Sequence, residues 1–297
     1  MELLLNTNEL GYKPFLNCQI ETIIIGLKNF CHNQFYSVSL KQLPNVITEL
    51  KQNKKKLCLS INTFASEKEI IKLDNLLDSL LNLEIDSFIV SDLGVLNLFK
   101  KRNIQNKVIL DLQTYVTNKY SAKSLLNLGV KRIVLSKEIT LNDIKEISTY
   151  NSGNIEMLCQ GYYPITYSKR PILSCYYKNF KLKKNKNIHY IKEESRDFQY
   201  MLIEQNNLLT VYNNKQYSLF SNLDILHENN INKLRIDTNF MSVKEINSYI
   251  DFYVKAINYI KENNLSEYEK LKKEFNEKFE YDTPFLHTES FLLKEGK

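Results

Sequence analysis

Polar residues that could carry acid–base chemistry follow directly after apolar runs at several points of the sequence. Asp111 and Gln113 fall on one face of a predicted strand, as do Glu156 and Gln160, because strand side chains alternate with a period of two. A carboxylate can act as a general base when burial raises its pKa. The residues predicted to act in catalysis are the carboxylates Asp92, Glu138 and Glu156, together with the amide of Gln113. Any one of them could instead begin an exposed loop, so the set carries more weight than its members.

Familiar catalytic and cofactor motifs are absent from the sequence. None of its seven glycines has the spacing GxGxxG or GxxxxGKS/T, so no cradle for a nucleotide phosphate is predicted. HExxH, CxxC and GxSxG do not occur, and the four histidines are far apart, so no metal site is predicted. Cys31 and His32 are adjacent, but neighbours on a strand point apart, which argues against a thiol nucleophile with its base.

Composition is that of a globular protein, with 43% hydrophobic and 25% charged residues. The longest apolar runs are too short to span a bilayer, and the first residues lack the features of a signal peptide. The five cysteines are scattered, so free thiols are expected and a disulfide framework is not. We therefore expect a cytoplasmic protein without a membrane partner.

The segment KNFKLKKNK at 178–186 is the densest basic run in a chain of net charge +6. Such a run can contact the phosphates of RNA. The residues predicted to bind RNA are Lys178, Lys181, Lys183, Lys184 and Lys186. The alternative is a solvated, asparagine-rich loop, because lysine, asparagine, isoleucine and tyrosine are all abundant, as an AT-rich genome would produce.

Short apolar runs of strand type alternate with amphipathic helical segments through the first half of the chain. The runs lie at 2–5, 21–26, 56–63, 86–92, 107–112, 131–136 and 154–159, and the helical segments at 40–53, 67–83, 93–102, 117–128 and 140–150. An eighth strand is predicted at 233–237, followed by a helix over 242–262. This alternation predicts an α/β fold, with a TIM-like (β/α)8-type barrel, regular or irregular, as first choice and a doubly wound open sheet as second.

The alternation breaks after residue 160. Residues 161–230 are rich in tyrosine and lysine, and 208–220 looks like a hairpin. We predict a barrel domain formed by 1–160 and 231–297, with 161–230 inserted between strands seven and eight. In such a barrel the site is expected at the C-terminal ends of the strands, where the polar residues collect.

Five segments, in the same order as in the family, make the chain resemble the collagenase-like peptidases of family U32. They are 91–101 (SDLGVLNLFKK), 111–147, 155–176 (IEMLCQGYYPITYSKRPILSCY), 233–260 and 275–286. Each segment alone is weak, but together they cover nearly the whole chain. The positions within these segments and at the strand ends that we expect to bind substrate are Asn62, Asn118, Tyr167, Ser168, Arg170, Arg235 and Asp237.

Some members of this family bind iron–sulfur clusters through cysteines, and this chain lacks cysteines at those positions. Two signature cysteines of the family fall where this sequence has Pro164 and Pro171, and Cys175 lies one residue after the signature serine. A cluster needs several thiolates converging on one site. We therefore expect neither an iron–sulfur cluster nor another cofactor in this chain.

The resemblance implies three functions. The first, which we favour, is a component of a system that hydroxylates uridine in tRNA, beside a homologous partner subunit that bears an iron–sulfur cluster. The second is a collagenase-like peptidase, for which the sequence shows neither a metal site nor a nucleophile paired with a base. The third is a non-catalytic partner or a small-molecule-binding barrel. A purely structural alternative pairs Arg132 with Glu138 and lets Arg170 anchor the insertion.

Overall fold

The computed structural model describes residues 1–113, 115–151, 153–183, 188–195, 197–205 and 208–288. In these ranges the strands are β1 (Glu2–Asn6), β2 (Thr22–Leu27), β3 (Ser37–Val38), β4 (Lys56–Ile61), β5 (Ser87–Val90), β6 (Val108–Leu110), β7 (Arg132–Val134), β8 (Ile155–Gly161), β9 (Pro164–Ser168), β10 (Ile188–Lys192), β11 (Gln199–Gln205), β12 (Leu208–Tyr212), β13 (Tyr217–Ser218) and β14 (Lys233–Asp237). The helices are α1 (Leu43–Gln52), α2 (Glu67–Leu81), α3 (Leu93–Lys101), α4 (Lys119–Leu126), α5 (Leu141–Asn151), α6 (Ile172–Asn179), α7 (Leu223–Glu228), α8 (Val243–Lys261) and α9 (Leu265–Lys278). None of the described helices has the length and apolar character needed to cross a membrane.

Eight parallel strands close into a barrel. Their order around the barrel is β1, β2, β4, β5, β6, β7, β8 and β14, and β14 pairs with β1 to complete the ring. The predicted (β/α)8-type barrel is confirmed, and the open doubly wound sheet is wrong because β1 and β14 leave no edge between them. The barrel departs from a regular alternation of strands and helices after β1, since the connection from β1 to β2 contains only a 3-10 turn at Lys13–Phe15.

The inner face of the barrel strands has an apolar layer with polar groups at either end. The apolar layer consists of Leu4, Ile24, Cys58, Ile89, Ile109 and Val134. Because strand side chains alternate, the inward positions two residues away are Arg132 towards one end and Asp111 towards the other. The outer face packs on the helices and forms the main hydrophobic core.

Residues 164–212 contain a second, antiparallel sheet in the order β10, β11, β12, β9. This sheet and α6 share a cluster of their own: Leu173, Tyr200, Leu202, Leu209 and Val211. The next strand, β13, pairs with β8 of the barrel. The hairpin predicted at 208–220 is therefore wrong, because the chain leaves the second sheet after β12 and returns to the barrel before β13.

Aromatic rings attach the C-terminal helices to the chain that returns from the second sheet. The rings of Phe220 and Phe275 stack at 3.9 Å between centroids with an interplanar angle of 11°. Both side chains are fully buried. Phe252 and Tyr253 from α8 meet the Phe220 ring edge-on at 6.0 and 5.2 Å. This cluster joins α8, α9 and the residues before α7 into one packed unit.

Truncating Phe275 tests how much this cluster stabilises the fold. We expect Phe275→Ala to lower the free energy of unfolding by about 3–5 kcal/mol, because the removed ring leaves a cavity between rings that cannot close. Urea unfolding followed by circular dichroism measures the loss. Phe180→Ala is the control, since that ring is 58% exposed. An equal loss of unfolding free energy in the two variants would show that the aromatic cluster does not stabilise the fold.

Candidate functional site

A polar cavity of about 60 Å³ opens at the C-terminal ends of the barrel strands. Loops from several strands converge at this end of such barrels, which is where their active sites lie. The polar side chains that line it are Asn6, Asn33, Gln34, Ser60, Asn62, Asp111, Gln113, Lys137, Tyr162, Tyr163, Tyr167, Arg235 and Asp237. The structure thus brings together five of the predicted site residues: Asn62, Gln113, Tyr167, Arg235 and Asp237.

Next to this cavity, one buried carboxylate holds two arginines inside the barrel. Glu156 is fully buried, its Oε2 accepts from Arg132 Nε at 2.6 Å, and its Oε1 accepts from Arg235 Nε at 2.7 Å. Arg235 Nη1 also donates to Asp111 Oδ2 at 2.8 Å. Two carboxylates therefore compensate two guanidinium groups, which is what charges removed from water require.

Glu156 is held in its ionised form by this arrangement. Burial alone would raise its pKa, but the charges of Arg235 and Arg132 outweigh burial and keep the pKa below the usual range. A carboxylate of low pKa accepts a proton poorly, so these contacts favour a structural role for Glu156 over the predicted catalytic one. The pairing of Arg132 with Glu138 is wrong, because Arg132 is engaged by Glu156 and Glu138 is exposed.

Asp237 and Lys137 are titratable side chains of the cavity whose pKa values are shifted towards neutrality. Burial raises the pKa of Asp237 to about 6, although the Asn239 backbone N–H at 3.0 Å, the Arg235 charge and the Asn6 side chain at 3.2 Å stabilise its ionised form. Burial also lowers the pKa of Lys137. Such opposed shifts in one cleft are typical of acid–base sites. Sequence reasoning missed Lys137, although its place just after β7 was an available signal.

Tyr167 closes the cavity from the second sheet. Its hydroxyl donates to Gln113 Oε1 at 2.8 Å, and Gln113 Nε2 donates in turn to Asp111 Oδ1 at 3.1 Å. The Tyr167 ring also contacts the rings of His32 and Phe64, with centroids 5.5 and 5.6 Å away. The predicted residues Gln113 and Tyr167 therefore form one hydrogen-bonded chain across the mouth of the cavity.

Asn62 positions the backbone beside that mouth rather than presenting a free amide. It accepts from the His32 backbone N–H and donates to the His32 carbonyl oxygen, both at 3.0 Å. Burial lowers the pKa of His32 to about 4 and raises the pKa of the Cys31 thiol to about 12. Neither ring nitrogen of His32 has a hydrogen-bond partner among the described residues. Cys31 and His32 thus do not form a nucleophile–base pair.

Asp92 and Asn118 are helix caps in the structure. Asp92 Oδ1 accepts from the backbone N–H groups of Gly94 and Val95 at 2.7 and 3.1 Å and so begins α3. Asn118 caps α4 in the same way. These bonds satisfy amides that a helix leaves without partners in its first turn. The structure does not bring either side chain to the cavity.

The remaining predicted residues lie on the second sheet and on α6. Ser168 Oγ accepts from the backbone N–H of Arg170 at 3.3 Å, and the Arg170 side chain is exposed. The lysines Lys178, Lys181 and Lys183 are exposed at the end of α6 and in the turn after it. Lys184 and Lys186, by contrast, lie outside the described residues. In the part of the chain that the structure describes, no group of three histidine, cysteine, aspartate or glutamate side chains could hold a metal ion.

Removing the charge of Glu156 tests its structural role. We expect Glu156→Gln to lower the free energy of unfolding by about 3–5 kcal/mol, because two buried guanidinium groups would lose part of their compensation. Urea unfolding measures this change. Asp78→Asn is the matched control, because it also removes a carboxylate bound to an arginine, Arg102, but at a 75% exposed position. An unchanged stability of Glu156→Gln would contradict the role.

The raised pKa of Asp237 predicts a pH-dependent cost to stability. The folded state holds the Asp237 proton up to a pKa of about 6, whereas the unfolded state releases it near 4, so this group destabilises the fold increasingly as pH rises between these values. We expect Asp237→Asn to be more stable than the unchanged protein by roughly 2–3 kcal/mol at neutral pH, with the difference vanishing below about pH 4. Unfolding free energies across this pH range measure it, with the exposed Asp251→Asn as control. A difference independent of pH would contradict the assignment.

Comparison with known proteins identifies relatives. The sequence model of peptidase family U32 matches residues 11–295. An uncharacterized protease of Methanocaldococcus jannaschii is 33% identical over 149 residues, which cover 50% of this chain and 36% of the relative. A tRNA hydroxylation protein P of Helicobacter pylori is 28% identical over 194 residues, 62% of this chain and 46% of the relative. A tRNA hydroxylation protein P2 of Bacillus subtilis is 21% identical over 277 residues, 91% of this chain and 89% of the relative.

The lengths of these matches differ. The chain spans less than half of the first two relatives but nearly nine-tenths of the Bacillus subtilis protein. The family match, by contrast, extends over almost every residue of this chain, from the connection after β1 to beyond α9. The chain therefore belongs to peptidase family U32.

Proposed function

We propose that this chain is a component of a system that hydroxylates uridine in tRNA at C5, beside a homologous partner subunit. The observation that carries the proposal is the similarity to the tRNA hydroxylation protein P2 of Bacillus subtilis, because that match covers nearly the whole of both chains. The shorter match to the tRNA hydroxylation protein P of Helicobacter pylori agrees with it. Within the system, this chain would bind and orient the uridine.

The cavity supports this role through the hydrogen-bonding groups that it offers. Uracil presents an N3–H donor between two carbonyl acceptors. Asn6 Oδ1 is buried without a partner among the described residues and can accept from N3–H, whereas Lys137 can donate to a carbonyl oxygen. Enzymes that modify a nucleobase turn it out of its stack and read this edge in a pocket. Tyr167 and Gln113, which are joined by a hydrogen bond, line the same cavity and offer further polar groups to a base.

The exposed face of α6 and the following turn supports contact with the rest of the RNA. Lys178, Lys181 and Lys183 are exposed there, close in sequence to the exposed rings of Tyr176 and Phe180, whose centroids are 4.8 Å apart. Lysines neutralise phosphates, and exposed aromatic rings stack on unpaired bases. A tRNA substrate would therefore meet both kinds of contact on α6 and the turn that follows it.

The described residues do not fit an iron–sulfur cluster. Pro164 lies in β9 and Pro171 directly precedes α6, and neither side chain has a ligand atom. Cys58 and Cys159 are buried in separate hydrophobic clusters on the two faces of the barrel sheet. A cluster needs thiolates that converge. We assign the redox centre of the proposed system to the partner subunit and derive no step through it in this chain.

Nucleosides from a strain that lacks this gene test the proposal. We expect 5-hydroxyuridine and its derivatives to be absent from the tRNA of that strain, measured by mass spectrometry beside the parent, and to return with the unchanged gene. Lys181→Glu/Lys183→Glu should restore much less, because reversed charge repels phosphate. The control is Lys100→Glu/Lys101→Glu, which reverses two exposed lysines at the end of α3. An unchanged nucleoside profile in the deletion strain would refute the function.

Binding measurements separate the RNA surface from the rest of the proposal. The dependence of tRNA affinity on salt should become flatter by about one unit of logarithmic slope for each phosphate contact removed. Unchanged affinity and slope in Lys181→Glu/Lys183→Glu would remove these lysines from the interface. Cleavage of gelatin by the purified chain, with an unchanged nucleoside profile, would favour the peptidase alternative. Full hydroxylation by the partner without this chain would exclude an obligate role for this chain as a non-catalytic partner.

A further inference from the structure

Two cationic side chains, Lys137 and Arg235, line the cavity, and they differ in their partners. Arg235 has its guanidinium engaged by Glu156 and Asp111. No hydrogen bond or ion pair joins Lys137 Nζ to any residue in the described part of the chain. Lys137 Nζ lies over the ring of Tyr163, 5.7 Å from its centroid. The Lys137 amine therefore lines the cavity without a hydrogen bond or an ion pair to any described residue.

The surroundings of Lys137 favour an amine that can lose its proton. Burial is the largest influence and lowers its pKa, and the positive charge of Arg235 acts in the same direction against the carboxylates of Asp111, Glu138 and Asp237. A lysine that is desolvated and lies near another cation is present more often as the neutral amine, which is the nucleophilic form. Lysine amines of this kind react with carbonyl compounds.

We propose that Lys137 is a nucleophile that forms an imine with a small aldehyde or ketone bound in the cavity at the C-terminal end of the barrel. The inference goes beyond the proposed RNA modification, which requires no imine. The cavity has a volume of about 60 Å³, which suits a small ligand of a few heavy atoms. Gln113 and Asn6 border the same space and can bind the polar groups of such a ligand.

The proposed reaction balances with groups that the cavity contains. The neutral Lys137 amine adds to the carbonyl carbon, a C–N bond forms, and one amine proton passes to the oxygen to give a carbinolamine. Asp237 lines the same cavity and, in its protonated form, gives its proton to the carbinolamine hydroxyl. The C–O bond then breaks and water leaves. The products are a protonated imine on Lys137 and the Asp237 carboxylate, whose opposite charges stabilise each other. No oxidant or reductant takes part.

Reductive trapping tests this inference on the purified chain without RNA. The protein is incubated at neutral pH with propanal as the carbonyl probe and sodium cyanoborohydride, which reduces an imine to a stable amine. Propanal is kept limiting, and peptide mapping by mass spectrometry then shows which lysines carry propyl groups. We expect Lys137 to be modified several-fold faster than exposed lysines such as Lys100. Labelling spread over exposed lysines with Lys137 unmodified would overturn the proposal.

Variants identify the groups that act. Lys137→Arg should lose the dominant adduct, whereas Lys100→Arg should keep it. Asp237→Asn should slow formation of the adduct without moving it to another lysine, because the proton donor is lost while the amine remains. Thermal unfolding of each variant shows whether it is folded. If Lys137 is labelled as fast in Asp237→Asn as in the unchanged protein, Asp237 is not the proton donor. Because the readout is an adduct on the protein, its failure is distinct from a failure of the tRNA experiments.

Discussion

The interior of the barrel depends on the buried carboxylate of Glu156. It binds arginines from the two neighbouring strands, Arg132 on β7 and Arg235 on β14, and so links three adjacent strands through charge. Each of these ions would cost several kcal/mol if buried alone. The register of β14 against β8, with an irregularity between Arg235 and Ile236, brings the two sides of this network together. The barrel interior can hold these charged side chains because two carboxylates, Glu156 and Asp111, neutralise the two guanidinium groups.

The same network affects the pKa of Asp237 in the cavity. Arg235 and Asp237 are two residues apart on β14 and share its inward face. Arg235 is bound by Glu156 and Asp111, so its charge only partly offsets the burial of Asp237. On β14, the charge of Arg235 is therefore neutralised by two carboxylates, whereas the charge of Asp237 is only partly neutralised. Ionised Asp237 lowers the stability of the fold, which natural proteins tolerate where the group has a function.

The second sheet acts as the cover of this cavity. It is attached through the hydrogen bond from Tyr167 to Gln113 and through Lys169, which donates to Glu69 at 3.2 Å near the start of α2. Gly161 makes the close approach possible where the chain leaves β8. Its φ of 136° suits glycine, and a Cβ there would collide with the backbone of Asp237. The cover and the barrel therefore meet at the residues that line the site.

The sequence by itself determined the barrel, the family and part of the site. Buried parallel strands are continuous apolar runs, so their alternation with helices is visible without any tertiary contact. Polar residues after those runs include both cavity residues, such as Asp237, and helix caps, such as Asp92, because both use short polar side chains at strand ends. Lys137 was missed because a lysine after a strand is ordinary in a lysine-rich chain. Only the tertiary structure separated these cases, since burial and charge compensation come from residues far apart in sequence, as when Arg235 meets Asp111.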